Sequence, residues 1–128
     1  MSQKANPDRQ ASNEARAIAK YVRSSPRKLN LVAQLIRGKS AERALVDLEF
    51  CPKAAAEPVK SVLRTAIANA ENNHNLNIDN LYVSEASVGK TMLLKRLHTR
   101  GRGKSARVEK FFSRLTVVVR ERDQEGAK

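Results

Sequence analysis

The segment that comes nearest to a catalytic motif is GRGKS, residues 101–105. It resembles the end of a phosphate-binding P-loop, in which the pattern G-x-x-x-x-G-K-S holds nucleotide phosphates with backbone N–H groups and a lysine. That pattern requires glycine at position 98, where this sequence has His98. It also requires a strand before the loop and a helix after it, whereas strand-like sequence flanks this segment on both sides. We therefore predict no nucleotide hydrolysis.

The remaining reactive side chains are isolated in the sequence. His74 and His98 are far apart, and neither has a cysteine or histidine at the spacing of metal ligands. Cys51 is the only cysteine, which excludes an internal disulfide, and we expect it to pack at the end of a helix. No pair of acids stands out as a general acid and base. The sequence thus predicts no enzyme, no metal site and no cofactor.

The net charge indicates a polyanionic partner. The chain has 128 residues with 25 Lys and Arg against 13 Asp and Glu, which gives +12. Nucleic acid is the first candidate, because each neutralised phosphate releases counterions and adds affinity. A membrane surface is the alternative, but it needs a basic amphipathic helix or a lipid anchor, and the sequence shows neither. With no apolar run near ~18 residues and no signal peptide, we expect a cytoplasmic protein that does not bind a membrane.

Residues 90–110, KTMLLKRLHTRGRGKSARVEK, contain eight basic residues and one acid. They lie between LYVSEASV (81–88) and FFSRLTVVVRE (111–121), which both have strand-like composition. If these strands pair, the turn falls at residues 100–104, where Gly101 and Gly103 are expected to supply positive φ. Strands are usually ~5–6 residues long, so about half of each leg should project roughly 30 Å from the body. The alternative is a long, mobile, solvated loop.

We predict that this arm, at about residues 86–112, binds nucleic-acid phosphates. The residues expected to do so on its legs are Lys90, Lys95, Arg96, Arg107 and Lys110, and the tip consists of Arg100, Gly101, Arg102, Gly103 and Lys104.

Three helices are predicted between the first strand (17–23) and the arm. The first begins after Ser25 and stops at Gly38, the second lies between Ser40 and Pro52, and the third covers about 54–72. This order predicts an α+β fold, with three helices packed on a small antiparallel sheet and a long protruding β-hairpin. We expect one domain at 15–121, a flexible tail at 1–14 and a second tail at 122–128.

A second group of basic residues flanks the first predicted helix. Helix N-termini offer free backbone N–H groups to phosphate, so these residues are predicted to bind nucleic acid; the alternative is an ordinary solvated face. The group consists of Lys20, Arg23, Arg27, Lys28, Arg37 and Lys39.

Three segments in the same order resemble a known family. RSSPRKLNLVAQLIRGK (23–39), AIANAENN (66–73) and the RLTVVV (114–119) that ends the basic hairpin resemble the bacterial family of ribosomal large-subunit protein twenty-two, over about residues 17–121. The resemblance implies a structural constituent of the large subunit that binds 23S-type rRNA and supports early subunit assembly. It also implies an arm that runs through the rRNA to the wall of the nascent-peptide tunnel, which the tip at 100–104 would line.

The partners implied by this resemblance are large-subunit rRNA, neighbouring large-subunit proteins and the nascent peptide, without a homo-oligomer. Phe111 and Phe112 depart from the family pattern, which often has a basic and a polar residue there, and Glu109 places an acid on a usually neutral or basic leg. The rival hypothesis is a free double-strand nucleic-acid binder that inserts a β-ribbon into a groove. Such proteins usually act as symmetric dimers, and this ribbon is longer than one groove needs.

Overall fold

The helices and strands follow one another in the predicted order. The computed structural model describes residues 2–6 and 11–122. The strands are β1 (Glu14–Val22), β2 (Leu81–Thr99) and β3 (Ser105–Glu121), and the helices are α1 (Pro26–Ile36), α2 (Ala41–Glu49) and α3 (Ala56–His74). Two short 3₁₀ turns, at Ile78–Asn80 and Gly101–Gly103, precede β2 and join the two long strands. The predicted α+β class, with three helices, a small antiparallel sheet and a long hairpin, is confirmed.

The first strand starts earlier than the sequence suggested. Glu14 belongs to β1 and is paired with Arg120 of β3, so the strand includes one residue of the predicted N-terminal tail. At the other end, the Arg122 backbone N–H donates to the Asn80 carbonyl over 2.9 Å, and its guanidinium stacks on Tyr82. The rest of the predicted C-terminal tail, 123–128, lies outside the described residues.

β3, the last strand among the described residues, is the central strand of the sheet. The order is β1–β3–β2, and both pairings are antiparallel. β2 follows β3 along its whole length, but the pairing with β1 ends at Ser113. Residues 105–112 of β3 therefore extend beyond β1 with only β2 beside them, which makes an arm about 26 Å long at ~3.3 Å per residue.

The serine caps predicted for α1 and α2 are confirmed. The Ser25 hydroxyl accepts from the Lys28 N–H, and the Ser40 hydroxyl accepts from the Arg43 N–H. Gly38 follows α1 with a positive φ of 78°, as a helix stop requires. The Gly38 N–H donates to the Val83 carbonyl over 2.9 Å, so this residue also joins the chain after α1 to the edge of β2.

The third helix begins at Ala56 and ends at His74, two residues later at each end than predicted. Pro58 lies in its first turn, where the missing N–H needs no partner inside the helix. Asn75 ends the helix in the left-handed region, with φ 52°, and the Leu76 N–H then donates to the Ala70 carbonyl over 3.0 Å.

The three helices cover one face of the sheet. β3 contributes Leu115, Val117 and Val119, all fully buried, which confirms that this strand is covered by the helices. The helices contribute apolar side chains at helical spacing, and Cys51 packs against this core just after α2, as expected. Burial along β3 ends at Ser113, where the arm begins.

The turn at the tip corrects one prediction. Gly103 has the expected positive φ of 69°, but the second left-handed residue is Arg102, with φ 59° and ψ 36°, and Gly101 is not in that region. The tip bends through a 3₁₀ turn in which the Lys104 N–H donates to the Gly101 carbonyl over 3.3 Å, and the Arg100 N–H closes the hairpin by donating to the Lys104 carbonyl over 2.7 Å. That geometry puts the two left-handed positions at consecutive residues, 102 and 103, rather than at the two glycines.

Candidate nucleic-acid interface

The arm presents all of its cations to solvent. The eight basic residues between positions 90 and 110 are all exposed, and with Glu109 as the only acid the segment has a net charge of +7. Such a density of like charge repels itself in the free protein. An anionic partner that neutralises it would therefore stabilise the arm as well as bind it.

The alternation of β-strand side chains divides these cations between two faces of the ribbon. We call the face that continues the helix-covered side of the sheet the helix-side face, and its opposite the open face. On the helix-side face, Lys95 is paired with Glu109, and Leu97 is paired with Arg107. On the open face, Leu94 is paired with Lys110, and Arg96 is paired with Val108. Each face therefore carries two leg cations beyond the body.

Apolar side chains alternate with the cations along the arm. Leu93 and Leu94 are half-buried, whereas Met92 and Leu97 are 39% and 72% exposed. Two large apolar groups thus stay in contact with water in the free protein. Surfaces of this mixed kind suit nucleic acid, because cations contact phosphates while apolar groups contact sugars and base faces.

The single acid of the arm lies in basic surroundings. Glu109 is opposite Lys95 in the hairpin, and it lines a groove of about 360 Å³ that Arg23 and Lys28 also line. Ser25, the N-cap of α1, forms another part of the groove wall. The groove therefore brings the base of the arm next to the basic residues at the start of α1.

The structure separates the predicted basic group around α1 into two parts. Lys20, Arg23, Arg27 and Lys28 lie before or within the first turn of α1, and all four are exposed. Arg23 is nevertheless engaged at the base of the arm, where its guanidinium carbon lies 5.5 Å from the centre of the Phe112 ring. This part of the group is continuous with the arm.

Arg37 and Lys39, at the far end of α1, make bonds within the protein. The Arg37 guanidinium donates to the Ala86 carbonyl over 2.8 Å and to Asn30 Oδ1 over 2.7 Å, which joins α1 to β2. Lys39 Nζ lies 2.5 Å from Asp47 Oδ2, and this hydrogen bond, with the charges of Lys39 and Arg43, lowers the pKa of Asp47. Arg37 and Lys39 therefore use part of their hydrogen-bond donors to stabilise the fold.

The comparison with known proteins assigns the chain to a family. Residues 17–120 match the family described as ribosomal protein L22p/L17e, a range that includes both the helical body and the whole arm. The chain belongs to this family. Its relatives include a large ribosomal subunit protein uL22 from Rhodospirillum centenum, which is 60% identical over 125 residues and covers 98% of this chain and 95% of that protein.

Further relatives of this L22p/L17e chain match it over similar lengths. The uL22 protein of Maricaulis maris is 60% identical over 94% of this chain and 96% of its own length. That of Methylorubrum populi is 56% identical over 99% of this chain and its full length. Membership of the family makes the chain a ribosomal protein, which agrees with its predicted location in the ribosome.

Sequence reasoning missed two exposed cations on the open face of this L22p/L17e chain. Arg114 lies between the buried residues Ser113 and Leu115, so the alternation of β3 could have assigned it to the outer face. Arg16 is exposed in β1, but it lies one residue before the strand predicted at 17–23. Strand pairing places both residues on the same side of the sheet as Arg96 and Lys110, which extends the basic surface from the arm onto the body.

The isolated reactive residues of the L22p/L17e chain form no chemical site in the described part of the structure. His98 is exposed on the arm, and His74 is half-buried at the end of α3. Within residues 2–6 and 11–122, no three His, Cys, Asp or Glu side chains come close enough to hold a metal ion. In the same residues, no helix combines the length and the apolar character needed to span a membrane.

Proposed function

We propose that this L22p/L17e chain is a structural, non-catalytic component of the large ribosomal subunit in the bacterial cytoplasm. In this proposal the chain binds 23S-type rRNA, with its arm inserted between rRNA segments, and supports early subunit assembly. The family and the relatives named for the large subunit support the ribosomal part of the proposal. The observation that best supports RNA binding is that the arm has exposed cations on both faces.

This distribution of charge favours an arm that RNA surrounds. A ribbon that lies against one nucleic-acid surface needs cations on one face only, and its other face can be neutral. Here the helix-side face has Lys95 and Arg107, and the open face has Arg96 and Lys110. The arm also extends about 26 Å beyond β1, whereas the major groove of B-DNA is only ~12 Å wide. Both features fit insertion between rRNA segments better than reading of a single groove.

Two double variants test the proposal. Lys95→Gln with Arg107→Gln removes the helix-side leg cations, and Arg96→Gln with Lys110→Gln removes those of the open face. Each pair should lower the slope of log affinity against log salt for deproteinised bacterial 23S rRNA by about 1.4–1.8, because each lost phosphate contact removes ~0.7–0.9. Lys53→Gln with Arg64→Gln, two exposed body cations, is the matched control and should leave the slope unchanged.

The outcome separates the proposal from its rival. If the slope of log affinity against log salt is lowered in only one of the two arm variants, nucleic acid lies against a single face. Equal affinity for 23S rRNA and random-sequence duplex DNA would favour a free β-ribbon protein. Either result contradicts an arm enclosed by rRNA.

The tip is proposed to line the tunnel through which the nascent peptide leaves. Arg100, Arg102 and Lys104 are exposed and lie furthest from the body, so they contribute least to anchoring it. Replacing residues 100–104 by a two-residue turn should leave incorporation into large subunits nearly intact, as measured by sedimentation. The same change should alter stalling on tunnel-sensing peptides, as measured by ribosome footprinting. If it blocks assembly as severely as deletion of the whole arm, the tip is an anchor.

A further inference from the structure

Both outer strands of the sheet lose their regular pairing at the place where the arm leaves the body. The register of β1 shifts between Ala19 and Val22, and that of β2 shifts between Lys90 and Met92. Both shifts fall opposite the same short segment of β3, residues 112–115. Bulges of this kind bend a strand and increase its local twist, so the arm changes direction at this level.

A hydrogen bond connects the two irregular segments across the central strand. The Thr91 hydroxyl, in the irregular part of β2, donates to the Lys20 carbonyl in that of β1 over 2.9 Å. Because β3 lies between these strands, the bond joins the two edges of the sheet to each other. A regular flat sheet does not bring its first and third strands together in this way.

Ser113 provides a second connection at the same level. It is the one buried polar side chain among the described residues, with no exposed surface. Its hydroxyl donates to the Ser24 carbonyl over 2.6 Å, which satisfies the buried group and ties the chain after β1 to β3. The body therefore holds β3 by a side chain immediately before the arm begins.

Phe111 and Phe112 contact cations on opposite faces of the ribbon. Lys90 Nζ lies 5.6 Å from the centre of the Phe111 ring, and the Arg23 guanidinium carbon lies 5.5 Å from the centre of the Phe112 ring. Arg23 Nη1 also donates to the Phe111 carbonyl over 3.0 Å, two residues beyond the last pairing of β3 with β1. Arg23 thus continues the link between body and arm past the end of β1.

We propose that these residues form a root joint that fixes the direction of the arm before any RNA is bound. The root joint consists of Lys20, Arg23, Lys90, Thr91, Phe111, Phe112 and Ser113. In this role they are positioning residues, since they set the direction of the arm. A bend of about 20°, similar to the ordinary twist between neighbouring strands, would move the end of an arm about 26 Å long by about 9 Å. A fixed direction therefore lowers the ordering cost of inserting the arm into RNA.

The direction of the arm can be measured on free protein with two spin labels. In a Cys51→Ser background, Ser61→Cys labels the exposed side of α3, and Lys95→Cys labels the arm just beyond the root joint. Pulsed electron paramagnetic resonance then gives the distribution of distances between the labels. We expect a narrow distribution in the parent protein.

The test variant is Arg23→Gln with Phe112→Ser, and its matched control is Arg107→Gln with Leu97→Ser, which removes the same kinds of group beyond the label. The test variant should broaden the distribution and shift its mean by about 4 Å, the displacement of the label for a bend of about 20° over four residues. The control should leave both unchanged. Arg23→Lys, which keeps a cation over Phe112, should recover part of the narrow distribution.

Three outcomes would overturn the root joint: a broad distribution in the parent, no change in the test variant, or equal broadening in the control. Thermal unfolding by circular dichroism shows whether each variant keeps its body, and Thr91→Val replaces the double variant if that one unfolds. The purpose of the joint depends on the proposed function, but this measurement contains no RNA. If the arm variants leave the salt dependence of RNA binding unchanged, the RNA proposal is wrong, but the root joint is not contradicted.

Discussion

The two halves of β3 belong to one continuous strand but are stabilised by different means. In the body half, Leu115, Val117 and Val119 are buried beneath the helices, and β1 and β2 flank the strand on both sides. In the arm half, residues 105–112 have only β2 beside them, and every cation is exposed. Isolated two-stranded ribbons are marginally stable in water. The same secondary structure can thus be a stable part of the fold or a ribbon that is less stable unless an external partner stabilises it.

The largest difference between body and arm should appear in amide hydrogen exchange on the free protein. Amides of α3 exchange only when the body unfolds, so at ordinary stabilities they should be at least about a thousandfold slower than solvent-exposed amides. Amides from Leu94 to Lys110 should exchange faster than those of α3, since the arm, although formed most of the time, can open without the body. The boundary should fall at the root joint. Protection of the arm equal to that of α3 would show that the hairpin is stable by itself.

Removing a leucine from each region should sharpen the comparison. Leu63 of α3 is fully buried, so Leu63→Ala should lower the free energy of unfolding by about 2–5 kcal/mol. Leu97 of the arm is 72% exposed, so Leu97→Ala should change it by less than about 0.5 kcal/mol. Urea denaturation followed by circular dichroism measures both. A comparable loss from Leu97→Ala would mean that the arm contributes to the cooperative fold.

Two glycines with positive φ allow the same comparison at the level of the backbone. Gly38→Ala forces a side chain into the left-handed region at the end of α1 and should cost about 1–3 kcal/mol of body stability. Gly103→Ala imposes the same strain at the tip, but it should not move the urea midpoint because the arm opens independently of the body. Equal shifts from the two substitutions would contradict this independence.

The smallest predicted effect concerns the pH dependence of the body. The Lys39 hydrogen bond lowers the pKa of Asp47 in the folded state below its ordinary 3.8. The stability that this adds is complete above the ordinary pKa and is lost as the pH falls below 3.8 through the lower folded pKa. Asp47→Asn should therefore reduce stability at neutral pH slightly and flatten the acid limb of the stability curve. An unchanged acid limb would mean that Asp47 titrates alike in both states.

Much of the body could be predicted because its signals are local. Ser25, Ser40 and Gly38 mark helix ends by chemistry that acts within a few residues, and the apolar periodicity of each helix identifies its buried face. The arm was predictable from a different signal, two long strand-like legs around a glycine-containing turn. Its cations could be recognised from composition alone.

The features that the sequence did not reveal depend on geometry that sequence patterns do not contain. The sequence has glycine at both 101 and 103, so only the turn geometry shows that Arg102 takes the left-handed conformation. The internal bonds of Arg37 and Lys39 depend on which carbonyl and carboxylate groups the fold brings near them. The root joint can be recognised only from the pairing register of the strands, since nothing in the local sequence shows that Thr91 contacts the Lys20 carbonyl.

The position of β3 in the sheet has a consequence for synthesis of the chain. Glu14 and Arg120 pair across β1 and β3 although 106 positions separate them, and β3 leaves the translating ribosome after the other helices and strands of the described residues. The helices can form earlier, but β1 and β2 have no shared partner until β3 emerges. A chain truncated after Lys104 should show helical circular dichroism without cooperative unfolding. A chain that lacks β3 therefore has neither a formed body nor an arm of fixed direction.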